Sequence, residues 1–347
     1  MLYLKNRTTF SAMLLPAPDP DGIDSVYTVV KGTFTLGKRI APAEAQLPVV
    51  LADTYAGEPG KSSLKAASDL GLVKPGTDVL LMGTAHAPGG RRVDQMDVSL
   101  RVGPVRKTVR IFGDRVWRAG VLASSPSPPE PFVNMSLVWE RAFGGTDQSE
   151  GPSPELEGED RNPAGSGFRS GKGEKPIEGL RLPNLEDPRR LISSWRDRPA
   201  PVAFAPLCPH WEPRRTYAGT YDQQWMERRM PYLPKDFDNR FFQLAPPDLV
   251  APGYLEGGEP VEIHGATPEG LSHFNLPRYR VQVVYRLDNV RRMRPAHLDA
   301  VLIEPDEKRL VLVWRASFSC DKKLLRVREV ALQFGRGGTR IEIAQVP

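Results

Sequence analysis

Between Tyr217 and Pro247 the chain reads Y-A-G-T-Y-D-Q-Q-W-M-E-R-R-M-P-Y-L-P-K-D-F-D-N-R-F-F-Q-L-A-P-P. Aromatic residues (Tyr217, Tyr221, Trp225, Tyr232, Phe237, Phe241, Phe242) stand among acids and arginines, and prolines interrupt at 231, 234, 246 and 247. Each proline fixes φ and removes an amide donor, so neither a long helix nor a central strand can run through the segment. Only Asp222 to Arg229 has room for a short helix. Asp222 would cap it, Trp225 and Arg229 would share a face, and Pro231 would stop it. So much aromatic surface on irregular backbone must be buried by the chain itself or offered to a partner.

The rest of the chain points to short elements and many turns. Its 347 residues include 35 prolines and 31 glycines, about a fifth of the total against an ordinary share of roughly 12%. Strand-like runs occupy Val26 to Leu36 (with a bend expected at Gly32), Asp78 to Ala87, Met96 to Val102 and Lys107 to Phe112. A second hairpin is expected across Gly113-Asp114 to Val116-Trp117, making this half an antiparallel meander. Leu47 to Ala52 is a further short apolar run. Thr146 to Lys175 is glycine, proline and charge, expected to be an exposed connection. Leu191 to Trp195 reads as a helical turn. Strands return at Pro260 to His264, Tyr279 to Leu287, Leu298 to Ile303, Leu310 to Phe318, Val327 to Phe334 and Arg340 to Ala344.

In A-V-L-I-E-P-D-E-K-R-L-V-L-V-W-R a hairpin turns over Pro305 to Lys308, with Leu310, Leu312 and Trp314 on one face and Val311 and Val313 on the other. The expected fold is mainly β, with antiparallel strands in two β-rich lobes, sandwich or barrel-like, and few short helices. The lobes are placed at 1–145 and 216–347, joined by an irregular 146–215 connection. No fixed-period repeat supports a propeller or solenoid.

Charge and cysteine usage narrow the function classes. The net charge is +5, from 47 basic and 42 acidic residues. The densest cluster, Arg291-Arg292-Met293-Arg294, is short and reads as a solvated face rather than a nucleic-acid patch. Cys208 and Cys320 lie far apart without a CxxC, which suits reduced thiols and a cytoplasmic protein. No apolar run reaches the roughly 18 residues of a membrane span.

Few residues have catalytic potential. Gly60-Lys61-Ser62 and Gly171-Lys172 mimic phosphate loops, but Tyr55 and Ser166 stand where the first glycine is required. Cys208 and His210 flank a proline and would point the same way, yet no oxyanion hole or orienting acid accompanies them. Asp222, Asp236 and Asp238 could ligate a metal, but the spacing is unlike a calcium loop, and nearby arginines are simpler partners. His86 reads as a hydrogen-bonded core or edge residue; His264, His273 and His297 lack zinc-site spacing. No cofactor and no catalytic residue is expected. A metal-dependent or Cys/His hydrolase is the alternative reading.

The 217–247 segment resembles the signature of a bacterial family, domain of unknown function 2169. Further blocks agree in order: R-A-F-G-G-T-D (141–147), R-N-P-A-G-S-G-F (161–168), L-P-N-L-E-D-P (182–188) and L-V-L-V-W-R near the end. One departure is Gln243, where a small polar residue such as Asn is expected. The resemblance implies a place among type VI secretion genes and an adaptor or chaperone role. Such a protein would bind a secreted effector, or its spike-tip domain, and load it onto the secreted spike. Exposed members among Tyr221, Trp225, Arg229, Tyr232 and Arg240 are the expected partner-binding residues, because aromatic and arginine side chains on stiff loops dominate binding hot spots. The competing reading makes them core that joins two lobes.

Overall fold

A computed structural model of the chain describes residues 2–37, 39–120, 124–147, 157–170, 177–321 and 323–335. The strands of its three larger sheets begin with β1 (Tyr3–Asn6), β2 (Ser11–Pro18), β3 (Asp24–Thr35), β4 (Asp78–Leu81), β5 (Gln95–Val102), β6 (Val105–Phe112) and β7 (Leu185–Glu186). They continue with β8 (Pro260–His264), β9 (Leu271–Asn275), β10 (Val281–Leu287), β11 (Val290–Pro295), β12 (His297–Glu304), β13 (Arg309–Ser319) and β14 (Val327–Phe334).

The central sheet runs β2-β3-β13-β12-β4, with Ala41–Pro42 paired to the end of β3. It is antiparallel except where β12 and β4 pair in parallel, Ala300 opposite Asp78. A second, antiparallel sheet runs β7-β6-β5-β8-β9. The third runs β1-β14-β10-β11, with β1 parallel to β14. The protein is mainly β, and no sheet closes into a barrel among the described residues. Each of these sheets draws strands from both halves of the sequence.

Of the three inner strands of the central sheet, β3 and β13 are buried on both faces along nearly their whole length. Leu310, Leu312 and Trp314 join Val26, Val30 and Phe34 in the main core. Val311 and Val313 pack on the opposite face with Val29 and Ala300, where Leu47 and Val49 cover them. Phe10 stacks on Trp314 at 5.6 Å and meets Phe34, Tyr279 and Phe334 edge-on, so one ring cluster ties the central sheet to the third. Tyr285 of β10 adds a stack on Phe318 at 4.8 Å and a 2.9 Å hydrogen bond with the Thr28 hydroxyl.

Several local expectations change on contact with this packing. Gly32 does not bend its strand; a Cβ there would press on Phe34, Trp314 and Phe10 at 3.1–3.2 Å, so glycine supplies ring space. The Asp78–Ala87 run splits, because Thr84–His86 leaves the central sheet to pair with Asn134–Ser136. The hairpin across Gly113-Asp114 does not form: Ile111 pairs with Leu185, and Trp117–Arg118 pairs with Ser125–Pro126. The meander is therefore only the β5–β6 hairpin. Leu191 to Trp195 is not helical; Ile192 packs with Trp117, Phe143 and Leu182 instead. Residues 157–170 are not an exposed connection, since Glu159, Asn162 and Arg169 are buried there. The expected Arg340–Ala344 strand and the Gly171-Lys172 loop lie outside the described residues.

One buried ion network crosses these layers. Lys74, Asp78, Asp299 and Arg315 are each 5% exposed or less. The Lys74 ammonium lies 2.7 Å from Asp78 and 3.2 Å from Asp299, and the Arg315 fork grips Asp299 at 3.0 and 3.2 Å. Arg315 also donates to the Gly71 and Asp69 carbonyls at 2.7 Å. The Asp69 carboxylate accepts from Lys31 and from the Val50 amide, which clips the 47–50 cover onto β3.

Removing one partner from such a set leaves a buried charge uncompensated, so Asp299→Asn is expected to cost about 3–5 kcal/mol of unfolding free energy at neutral pH. Burial alone would raise the Asp299 carboxyl, but Arg315 and Lys74 hold it below the ordinary carboxylate value. Its stabilisation is therefore complete above the unfolded pKa, about 3.9, and is lost as pH falls through the lower folded value. Urea titrations from neutral to acid pH check both points; a variant as stable as the parent would show that the network contributes little.

Candidate functional site

The 217–247 segment folds as local chemistry dictates. Its helix spans Gln223–Arg228, and the Asp222 carboxylate caps it by accepting from the Trp225 amide at 2.8 Å. The Trp225 indole then donates to the Tyr232 carbonyl at 2.9 Å and meets the Tyr221 ring edge-on at 4.7 Å. Gly219 takes φ +79°, and a Cβ there would sit 2.9 Å from both Pro234 and the Asp236 carboxylate. Only glycine allows these two limbs to close. Hydrogen bonds from the Thr220 amide and hydroxyl hold the Asp236 carboxyl below its ordinary range. Arg240 grips Asp238 through Nε and Nη2 at 2.8 and 2.6 Å, which likewise lowers that carboxyl, and lies over the Tyr217 ring.

The segment has an inner and an outer half. Phe237, Phe241 and Phe242 pack mutually at 5.5–5.7 Å. Beyond them the chain reaches buried Asp78, whose carboxylate accepts from the Gln243 side chain at 3.3 Å and from the Leu244 and Ala245 amides at 2.9 and 3.1 Å. The Gln243 amide also donates to the Gly76 carbonyl at 2.9 Å. Gln243 is thus a buried connector at the position where a smaller amide was expected. Elsewhere in the segment Arg229 donates to the Leu233 carbonyl at 2.8 Å and to the Pro20 carbonyl, and the Tyr232 ring lies against Gly22. Both points are fastened to the central sheet, the second through the turn between β2 and β3.

On either side of Arg229, large apolar side chains face solvent: Tyr221 (53% exposed), Met226 (57%), Met230 (62%) and Tyr232 (40%). Of the partner residues expected from sequence, Tyr221, Tyr232 and Arg240 are exposed, while Trp225 and Arg229 are half-buried, Trp225 bonded within the segment and Arg229 both within it and to Pro20. Met226 and Met230 escaped the sequence reading because methionine carries no chemical motif; their place beside Trp225 and Pro231 was the available signal.

A family model described as an uncharacterised protein conserved in bacteria, domain of unknown function 2169, matches residues 21–315. The chain belongs to that family. No curated protein and no solved structure matches it. Three of the sequence blocks that carry the family resemblance, 141–147, 161–168 and 182–188, meet in space. Arg141 donates to the Asn184 side chain at 2.9 Å, and the Asn184 amide donates to the Phe112 carbonyl. Asn162, fully buried, donates to the Trp139 and Phe143 carbonyls at 2.8 and 3.0 Å. Phe143 and Gly144 pair with Ser166 and Gly167, and a Cβ on Gly144 would lie 2.1 Å from the Asn162 carbonyl.

Among the described residues no hydrogen bond joins Cys208 to His210 or either of them to an acid. Cys208 is buried, its thiol faces the Ser62 carbonyl at 3.8 Å, and burial pushes its pKa up to about 12. His210 Nε2 is buried without a hydrogen-bond partner among the described residues, and burial followed by the Arg214 charge lowers its pKa. Asp222, Asp236 and Asp238 are occupied as cap, turn and arginine partner. Among the described residues no three His, Cys, Asp or Glu side chains are grouped to hold a metal. His86 meets Asp306 at 3.3 Å, while His264 and His273 sit exposed on β8 and β9. Gly60-Lys61-Ser62 is a turn closed by a bond from the Gly57 amide to the Ser62 hydroxyl.

Two measurements follow. Arg229→Ala removes charge-assisted bonds that hold the segment to the β2–β3 turn and is expected to cost about 1.5–3 kcal/mol, whereas Tyr221→Ala should stay within about 0.5 kcal/mol in chemical denaturation. Equal effects would contradict the role of Arg229 as a fastening. Both cysteines are buried and burial raises both thiols, so a chromogenic disulfide reagent at neutral pH should label neither until the protein unfolds. Labelling of Cys208 at the rate of a free thiol would refute its burial.

Proposed function

We propose that this protein is a non-catalytic adaptor or chaperone. It binds a type VI secretion effector, or its spike-tip domain, in the cytoplasm and aids loading onto the secreted spike. The observation that carries this reading is the set of exposed apolar side chains Tyr221, Met226, Met230 and Tyr232 on a segment fastened at Arg229 and at Ala245. Rings held on fixed backbone lose little conformational entropy on binding, and methionines adapt to the shape of a partner. The resemblance of the 217–247 segment to proteins encoded among secretion genes supplies the class of partner. Among the described residues no helix is long and apolar enough to cross a membrane.

Co-expression with the effector and spike proteins encoded beside this gene, followed by affinity purification, tests the proposal. The double variant Tyr221→Ala/Tyr232→Ala should keep its fold and bind the effector about tenfold or more weakly, as loss of hot-spot residues does. Full retention of the effector by the folded variant would place the partner surface elsewhere. No association of the parent with any neighbouring product would overturn the adaptor role.

A further inference from the structure

A cavity of about 210 Å³ opens beside the outer strand of the third sheet and is floored by members of the ion network. Its charged and ring-bearing walls are Lys74, Tyr254, Arg294, His297, Asp299 and Arg315. The volume equals several waters at roughly 30 Å³ each, enough for a tetrahedral or planar oxyanion. The His297 imidazole stacks on the Tyr254 ring at 4.4 Å and 17°, so both are held in place, and the Tyr254 hydroxyl donates to the Lys74 carbonyl.

The charge of these walls has a sign. Asp299 is the sole carboxylate among those residues, and Lys74 and Arg315 already engage it. Those two cations keep donors in reserve. Among the described residues the Lys74 ammonium pairs with Asp78 and Asp299, and Arg315 Nη1 donates to the Gly71 carbonyl, which leaves each a hydrogen not used in these bonds. Arg294 lies at the cavity from exposed β11, its Nη1 donating to the Met293 carbonyl at 3.2 Å, with no carboxylate in ion-pair reach among the described residues. Arg291 and Arg292 stand on the same strand. Lys74 and Arg315 are balanced by Asp78 and Asp299, so the positive excess of the recess comes from Arg294; a positive recess over a buried floor concentrates anions, and guanidinium groups match oxyanion geometry.

We propose that this recess is a binding site for an oxyanion, a phosphate or carboxylate, held by Arg294 and His297 at the mouth and by the free donors of Lys74 and Arg315 at the floor. The oxyanion could be a free small molecule or an acidic side chain of a peptide laid along β11. The site does not depend on the adaptor reading.

Calorimetric titration of the full chain with inorganic phosphate, and separately with a blocked oligoglutamate peptide, tests it. Saturable binding of at least one probe is expected, weakened about tenfold or more by Arg294→Ala or His297→Ala. Both residues are exposed, so neither change should unfold the protein. Phosphate alone binding would assign the site to a small anion, and peptide alone to an acidic chain. Binding of neither probe, or binding that both variants leave unchanged, would overturn the proposal.

Discussion

Asp78 accepts more bonds from distant parts of this chain than its place at the start of a short strand would suggest. It neutralises Lys74, receives the Gln243 side chain, and terminates the backbone amides of Leu244 and Ala245. A buried carboxylate is costly unless every lone pair is used, and here the polar segment that uses them is the irregular one, which has no sheet to supply its own partners. The same carboxylate therefore solves two problems. It compensates a buried lysine, and it gives a proline-interrupted chain a fixed attachment that hydrogen-bond ladders cannot provide.

The family blocks show the same solution repeated. Asn162 and Asn184 are amides directed at backbone carbonyls, and Gly144 permits an approach that any Cβ would block. Such residues define the geometry of loops where neither α nor β periodicity holds. Their chemistry is ordinary, and their constraint comes from how many groups each must satisfy at once. A recognisable signature made of asparagine, glycine and arginine can therefore mark a scaffold as readily as an active site.

What could be read from sequence was what is local. The β12–β13 hairpin was legible because alternation and the Pro305–Lys308 turn lie within one short stretch, and the pairing of Glu304 with Arg309 agrees. The Asp222 cap was legible for the same reason. Strand β2 was missed because Pro16 and Pro18 argue against a strand, yet β2 lies at a sheet edge, where proline is tolerated. Strand β11 was hidden by its arginines, which protect an exposed edge. The pairings of β4 with β12 and of β1 with β14 join residues hundreds of positions apart, and no local period encodes such partners. The outer half of the 217–247 segment was legible as residue types, but its exposure depends on the fastening at Asp78 and Pro20, which only the fold reveals.

The ion network has two sides, and this bears on how any surface of the protein can be probed. Lys74 lines the cavity and pairs with Asp78, while Asp78 holds the inner end of the aromatic segment. A substitution at either residue disturbs both surfaces and the core between them, so its effect on binding would not identify which surface was lost. Tyr221 and Arg294 are both exposed, and neither takes part in the hydrogen bonding of the network. Since changes at separated residues without shared partners act nearly independently, these outer positions distinguish one surface from the other.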